Sequence, residues 1–566
     1  MNEPIQNPGI RHEGWKNLWI AGGITFIVML FTALVLGAQY QVNDDYAMTL
    51  GVAGAYGTPS ELMIFTNTLL GIMLKALYTA APLINWYFWM HFFVLFLAGT
   101  AFLFLVLETV PGRLRFLIAV LFAGTAILPD ILFMQFTMQA YYCLIAGFGL
   151  FTCALLRPEL KERRAKCAAM LVLAALFCLL GVMIREMTAL TIAPFFLAVV
   201  GYRLYKKDWR PVVWLALTCV LCGAAVWVDA NAYQSKEWQD YFEYNSARAA
   251  LLDLPKLDYD DNKEVFDAVG WTENDYDMFY QWYLADNETF STQNLQYIKD
   301  HALWSTATVP SVVSGIVGGM DSVLLFFPFG ILALCLGLCF ITRRKYILPA
   351  LAAAAVLLMH AGFVIFQRAP IRTVYPHYVL GILILLLLID FTGYRPVLKK
   401  RDVKPPSGRT NAFATGLLGA FLAAVLLMNV VLADARAWGS TDRYADVKQL
   451  DEYIADHKDQ LFLSSVRAAS DRYGAYSVFE APRKGMYENF IILGGWNTNT
   501  PRNKEFMKEH GIENLFLSLL DDDEYLVEIG EPTLVQRYLQ EKFQIQTRAV
   551  LIAQFDRLSV YRIVAS

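Results

Sequence analysis

Charge is scarce in this 566-residue chain. Only 17% of its residues are Asp, Glu, Lys or Arg, where a soluble globular protein carries about 25%. The deficit is uneven, because long apolar runs alternate with short basic connectors, and that pattern excludes a soluble globular body for most of the chain. Cysteine offers no framework either. All eight (Cys143, Cys153, Cys167, Cys178, Cys219, Cys222, Cys335 and Cys339) lie in or beside apolar runs, so none is placed to staple the long polar segments. Cys219 and Cys222 form a CxxC inside an apolar run, where they read as two small packing residues. A phosphate-cradling glycine loop is missing too, since Gly494-Gly495-Trp496 has neither dinucleotide nor P-loop spacing. The first apolar run ends without a small-x-small site and is expected to remain as a span. No repeats and no low-complexity segment occur, and no nucleic-acid partner is expected.

What is present is hydrophobic: 57% of residues, 14% of the chain being aromatic. Runs near 20 residues, long enough to cross a bilayer, fall at about 18–38, 84–107, 114–132, 137–156, 167–185, 187–204, 211–229, 321–341, 346–366, 375–391 and 412–433. The fold class expected is a polytopic α-helical membrane protein of about eleven spans. Its basic connectors (Arg113 and Arg115, Arg157–Arg164, Arg203–Arg210, Arg343–Lys345, Arg395–Arg409) all fall on one side if segment 61–80 does not cross. The positive-inside rule makes that side the cytoplasm, with the N-terminus. Segment 61–80 then reads as an interfacial or re-entrant helix.

This topology places residues 39–83, 231–320, 367–372 and 434–566 outside. The division expected is a membrane domain over 1–433 and an extracytoplasmic α/β domain over 434–566. In the tail, helices are expected at 445–457, 503–510 and 533–542, and strands at 461–463, 514–517, 525–528, 547–552 and 559–564. In the 231–320 loop, Asp258–Asn262 has the start of a calcium loop, but the glycine at the sixth position is missing and no Glu stands in register at the twelfth.

The polar residues of interest converge on the outer face. Asn43-Asp44-Asp45-Tyr46 follows the first span; Arg185 and Glu186 end the fifth; Arg368 and Arg372 flank Pro370, with Tyr375, His377 and Tyr378 beyond. Asp130, Gln135 and Gln139 follow the third span, the two glutamines spaced to share a helix face. Taken singly, each has a plain structural reading. Arginines anchor at interfaces, Trp86 and Tyr87 fit an aromatic belt, and His91 and His360 read as packed core residues without metal spacing. Together, carboxylates in the first outer loop and arginines on the same leaflet suit an anionic lipid headgroup and a nucleophile.

With its many spans, Asn43-Asp44-Asp45-Tyr46 in the first outer loop, Phe136-Thr137-Met138-Gln139-Ala140 and Ile184-Arg185-Glu186-Met187, the chain resembles the GT-C superfamily of membrane glycosyltransferases. It lacks the Trp-Trp-Asp signature of oligosaccharyltransferases, which speaks against transfer of a whole oligosaccharide to protein. The resemblance implies a polyprenyl-phosphate-sugar donor, a cell-envelope glycan or lipid acceptor, and a bacterial plasma membrane. It also implies a general base at Asp44 or Asp45, with substrate binding by Arg185, Glu186, Arg368, Arg372, Tyr375, His377 and Gln139. A divalent cation (Mg or Mn), if one is used, would fall to Asp44 and Asp45. The alternatives are a lipid-linked glycan flippase or transporter, a polysaccharide polymerase or ligase, and a non-catalytic envelope scaffold.

Overall fold

A computed structural model describes residues 13–110, 113–156, 164–342, 347–389, 408–440 and 444–566. Eleven helices among the described residues are long and apolar enough to cross a membrane: Gly14–Leu36, Trp86–Thr109, Leu114–Leu132, Phe136–Leu156, Arg164–Ile184, Thr188–Tyr205, Arg210–Ala232, Val323–Ile341, Ile347–Ile365, Ile371–Leu388 and Thr415–Ala437. Each matches a run expected from the sequence. The protein is an integral membrane protein with a small C-terminal sheet domain. Of the basic connectors, the stretches over 157–163, 343–346 and 390–407 lie outside the described residues.

Side chains such as Phe26, Ile27, Val220, Trp227 and Leu358 stand exposed on the bundle, as expected of surfaces solvated by lipid rather than water. The fourth span is the opposite case, with 89% of its apolar window buried against the second, fifth, sixth and tenth spans. Small residues let it approach the fifth span closely. A Cβ on Gly147 would come within 2.9 Å of the Ala174 carbonyl, and one on Gly181 within 2.8 Å of the Ala140 carbonyl, the packing that drives helix association in lipid.

Segment 61–80 resolves into a 13-residue helix, Thr68–Ala80, about 20 Å long and so too short to span. Asn67 caps it by accepting from the Leu69 N–H at 3.0 Å. Asp229 accepts from the Thr68 N–H and hydroxyl, which ties the start of the helix to the seventh span. Leu69, Ile72 and Met73 face outward.

In the tail, five strands form one sheet in the order β2-β1-β3-β5-β4: β1 (Leu461–Ser464), β2 (Phe490–Ile492), β3 (Glu524–Ile529), β4 (Thr547–Phe555) and β5 (Leu558–Ala565). β1 pairs in parallel with β2 and β3, whereas β5 runs antiparallel to β3 and β4. Helices Ala445–Asp456, Pro501–Glu509 and Thr533–Phe543 agree with the expectation. The strand expected at 514–517 is instead a helical turn, Leu515–Ser518, because the Asn514 side chain accepts from the Phe516 and Leu517 N–H groups and caps it.

The 231–320 loop folds into helices Lys236–Leu252, Lys263–Ala268, Glu273–Tyr280, Thr292–His301 and Val309–Gly319. It shares one hydrophobic core with the sheet domain, in which Trp271, Phe279 and Phe290 pack with Phe516 and Tyr538. Asp286 accepts from the Tyr538 hydroxyl at 2.6 Å, and the Leu284 N–H donates to the Leu493 carbonyl at 2.8 Å. The first loop joins the same assembly, since the Gly485 and Tyr487 N–H groups donate to the Gly54 and Ala55 carbonyls. Residues 39–83, 231–320, 367–372 and the sheet domain therefore gather at one end of the helix bundle. In the Asp258 turn, the Asp258 carboxylate accepts from the Asp261 N–H and the Asn262 side-chain oxygen from the Leu303 N–H, so these oxygens serve the chain's own turns.

Candidate functional site

Helix Asn43–Ala53 begins where the chain leaves the first span, with Asp44 and Asp45 in its first turn. There they complement the positive end of the helix dipole. Adjacent helical residues point about 100° apart, and the two carboxylates have different surroundings.

Asp45 turns inward and is fully buried. One of its oxygens accepts from the Tyr87 hydroxyl at 3.0 Å and from the Phe136 N–H at 3.1 Å. It thus caps the fourth span while holding the second. Its other oxygen is buried without a hydrogen-bond partner among the described residues. Burial, then the neighbouring Asp44, push its carboxyl well above the usual range, against the pull of the Tyr87 and Phe136 hydrogen bonds.

Asp44 remains partly open and faces cations. Burial raises its carboxyl above the ordinary value, while Arg372, Arg185 and the nearby Trp496 side chain draw it down and Asp253 adds a smaller upward push. Arg185, just past the fifth span, lies 4.8 Å over the Phe65 ring and 5.6 Å over Phe136. Burial, then Arg372, hold its guanidinium below the usual range, with Asp44 pulling the other way. Among the described residues neither Arg185 nor Arg372 closes an ion pair at contact distance, in contrast to Arg368, whose Nη2 donates to Asp253 at 2.8 Å.

Trp496 is the part of the site that the sequence reading passed over. It comes from the loop after β2 and packs on Phe65 with ring centroids 4.8 Å apart. Its carbonyl accepts from the Tyr241 hydroxyl at 2.8 Å. The preceding glycines place it. A Cβ on Gly494 would sit 1.5 Å from the Trp282 carbonyl oxygen, and Gly495 has φ +90°, so only glycine lets the chain pass there. The Gly-Gly-Trp triplet was visible in the sequence, but nothing local says which distant helix it meets.

The remaining expected residues separate. Glu186 is exposed beside Arg185. Gln139 is buried, its oxygen 2.6 Å from His91 Nδ1. The Tyr375 hydroxyl donates to the Thr125 carbonyl inside the bundle. His377 lies about a turn and a half beyond Arg372 on the same helix; its Nδ1 is 2.6 Å from the Thr373 carbonyl and its ring packs on Tyr141. His91 and His360 pack in the interior, the latter 2.9 Å from the Tyr378 hydroxyl. Among the described residues no three His, Cys, Asp or Glu side chains group closely enough to hold a metal. The Asp44–Asp45 doublet does not fit one as a pair, because one Asp45 oxygen already serves Tyr87 and Phe136 while Asp44 faces arginines.

The cluster thus presents one accessible carboxylate, two guanidinium groups without contact ion pairs, and an indole. It suits binding of an anion beside a group able to take a proton.

Comparison with known proteins gives likenesses of sequence and of fold. Residues 170–434, under half of the chain, match the family model described as the TgpA N-terminal domain. The chain is also similar to the crystal structure of ArnT from Cupriavidus metallidurans bound to undecaprenyl phosphate. That alignment covers 97% of this chain and 98% of the other, at 12% identity and a TM-score of 0.47. No curated protein matches the chain.

Proposed function

We propose that this protein is a GT-C type glycosyltransferase moving a sugar from a polyprenyl-phosphate carrier to a hydroxyl of a cell-envelope acceptor. The observation that carries the reading is a partly open Asp44, in the first turn of the loop helix, within electrostatic reach of Arg185 and Arg372. In this reading the end of the bundle where the sheet domain sits is the outer face of a bacterial plasma membrane.

The chemistry follows from the charges. The acceptor oxygen attacks the anomeric carbon as the bond from that carbon to the phosphate oxygen breaks, through an oxocarbenium-like state. Asp44 takes the acceptor's proton, a role worth about 10²–10⁴-fold. Its raised carboxyl makes it a better-matched base near neutral pH than an ordinary aspartate. Arg185 and Arg372 hold the departing polyprenyl phosphate, whose charge grows in the transition state. Asp45 is a positioning residue, fixing the first turn of the loop helix against the second and fourth spans. Arg368 is engaged by Asp253 and contributes less.

The test is turnover of a panel of polyprenyl-phosphate sugars by the full-length protein in nanodiscs, read as release of polyprenyl phosphate. Release that depends on Asp44 supports the reading. Absence of turnover with every donor, while donor binding survives loss of Asp44, transfers support to a flippase or scaffold.

A further inference from the structure

Beside Asp44 lies a cleft of about 600 Å³, open mouth included, between the first-loop helix and the sheet domain. It lies at the carboxyl ends of the parallel neighbours β1 and β2. The segments that follow β1 and β2 form one wall of the cleft; Asn43, Tyr46 and Tyr56 form the other.

We propose that this cleft holds one sugar ring of the acceptor glycan. The inference rests on the transferase reading and adds the acceptor's place and class. Three observations converge. First, Tyr46, Tyr56, Tyr487 and Trp496 supply aromatic surface, and Asn43 and Asn497 add amides that both donate and accept. Apolar ring faces with a few polar groups suit a pyranose, which has C–H faces and an equatorial belt of hydroxyls.

Second, the walls are preorganised. Asp451 accepts from buried Arg472 at 2.7 and 3.0 Å and from the Tyr487 hydroxyl at 2.7 Å, while Tyr46 stacks on Tyr476 with centroids 6.3 Å apart. Third, the cleft shares Asn43 and Trp496 with the surroundings of Asp44. A ring seated there presents a hydroxyl toward the base, while the phosphate side, at Arg185 and Arg372, remains separate.

The experiment uses the full-length protein in nanodiscs and soluble probes: methyl hexosides, N-acetylhexosamine oligomers, uronic-acid oligomers and a serine- and tyrosine-bearing peptide. Binding is read by saturation-transfer NMR and equilibrium dialysis. Asn497→Ala removes an amide, and Ser470→Trp fills the cleft from a side chain whose hydroxyl donates only to the nearby Arg467 carbonyl. Each substitution is expected to weaken binding of at least one glycan class about tenfold or more. Lack of binding by every glycan, glycan binding unaltered in both variants, or binding by the peptide alone overturns the assignment. Failure of the transferase reading is separable, because it appears as no donor turnover in the wild type whatever the glycans do.

Discussion

Asp451→Asn tests how the sheet domain is held over the site. Asp451 and Arg472 have side-chain exposures of 1% and 4%. One carboxylate oxygen accepts two Arg472 bonds, and the other accepts from the Tyr476 and Tyr487 hydroxyls at 2.9 and 2.7 Å. Asparagine keeps the shape and one acceptor, but it leaves the guanidinium buried without its counter-charge. Breaking a buried pair in this way costs about 3–5 kcal/mol, and the second face, now an amide, strands both tyrosine hydroxyls at about 1 kcal/mol each. For a folded body of this size each kcal/mol moves the midpoint by about 2–4 °C. The expected drop in the apparent unfolding midpoint of the sheet domain is therefore on the order of 10 °C, read by limited proteolysis across a temperature series. Because Tyr476 stacks on Tyr46 and Tyr487 packs near Tyr56, the first loop should become protease-sensitive with it. A midpoint within about 2 °C of wild type would refute the claim that this network couples the two.

Three further outcomes are expected. Gly494→Ala places a Cβ 1.5 Å from the Trp282 carbonyl oxygen, so the strand bridge between Tyr283 and Gly494 must open; tryptophan emission should change and transfer should fall, whereas unchanged emission would contradict the packing. Arg185→Ala should raise KM for the polyprenyl-phosphate donor about 10–100-fold, the worth of a charge-assisted hydrogen bond, and Arg368→Ala should raise it less, since its charge is spent on Asp253; equal effects would refute that ranking. The third concerns pH. Asp44 works as a base only when ionised, and burial raises its carboxyl, so activity should fall with decreasing pH at a higher pH than for an ordinary aspartate. Asp253→Asn removes an upward push and should move that limb to lower pH in a pH–rate profile; a shift upward or none would count against it.

The membrane scaffold was legible because burial in lipid needs long apolar runs, and each run became a helix. The short helix Val309–Gly319, with Val309, Val313 and Val317 exposed, was not, since eleven residues carry no spanning signal. β2 has only three residues, too few for an alternation to register. At 514–517 local capping by Asn514 overrode an apolar stretch that reads as strand. The site was half legible. Asp44, Arg185 and Arg372 were named from their span ends, but sequence order could not distinguish an inward Asp45 from a partly open Asp44. Nor could it show that Tyr375 and Gln139 point into the bundle. Trp496 was invisible for a different reason: its partners Phe65, Tyr241 and Asp44 are all more than 250 residues away, and only the tertiary fold joins them.

The most direct measurement of the central claim is polyprenyl phosphate release by Asp44→Asn and Asp45→Asn proteins in nanodiscs, side by side with wild type. Asparagine at 45 can still accept from Tyr87 and Phe136, whereas at 44 it cannot take a proton. Asp44→Asn is expected to lose about 10²–10⁴-fold and Asp45→Asn to keep turnover within about tenfold of wild type. Near-wild-type release by Asp44→Asn, or an equal collapse of both, would contradict that claim.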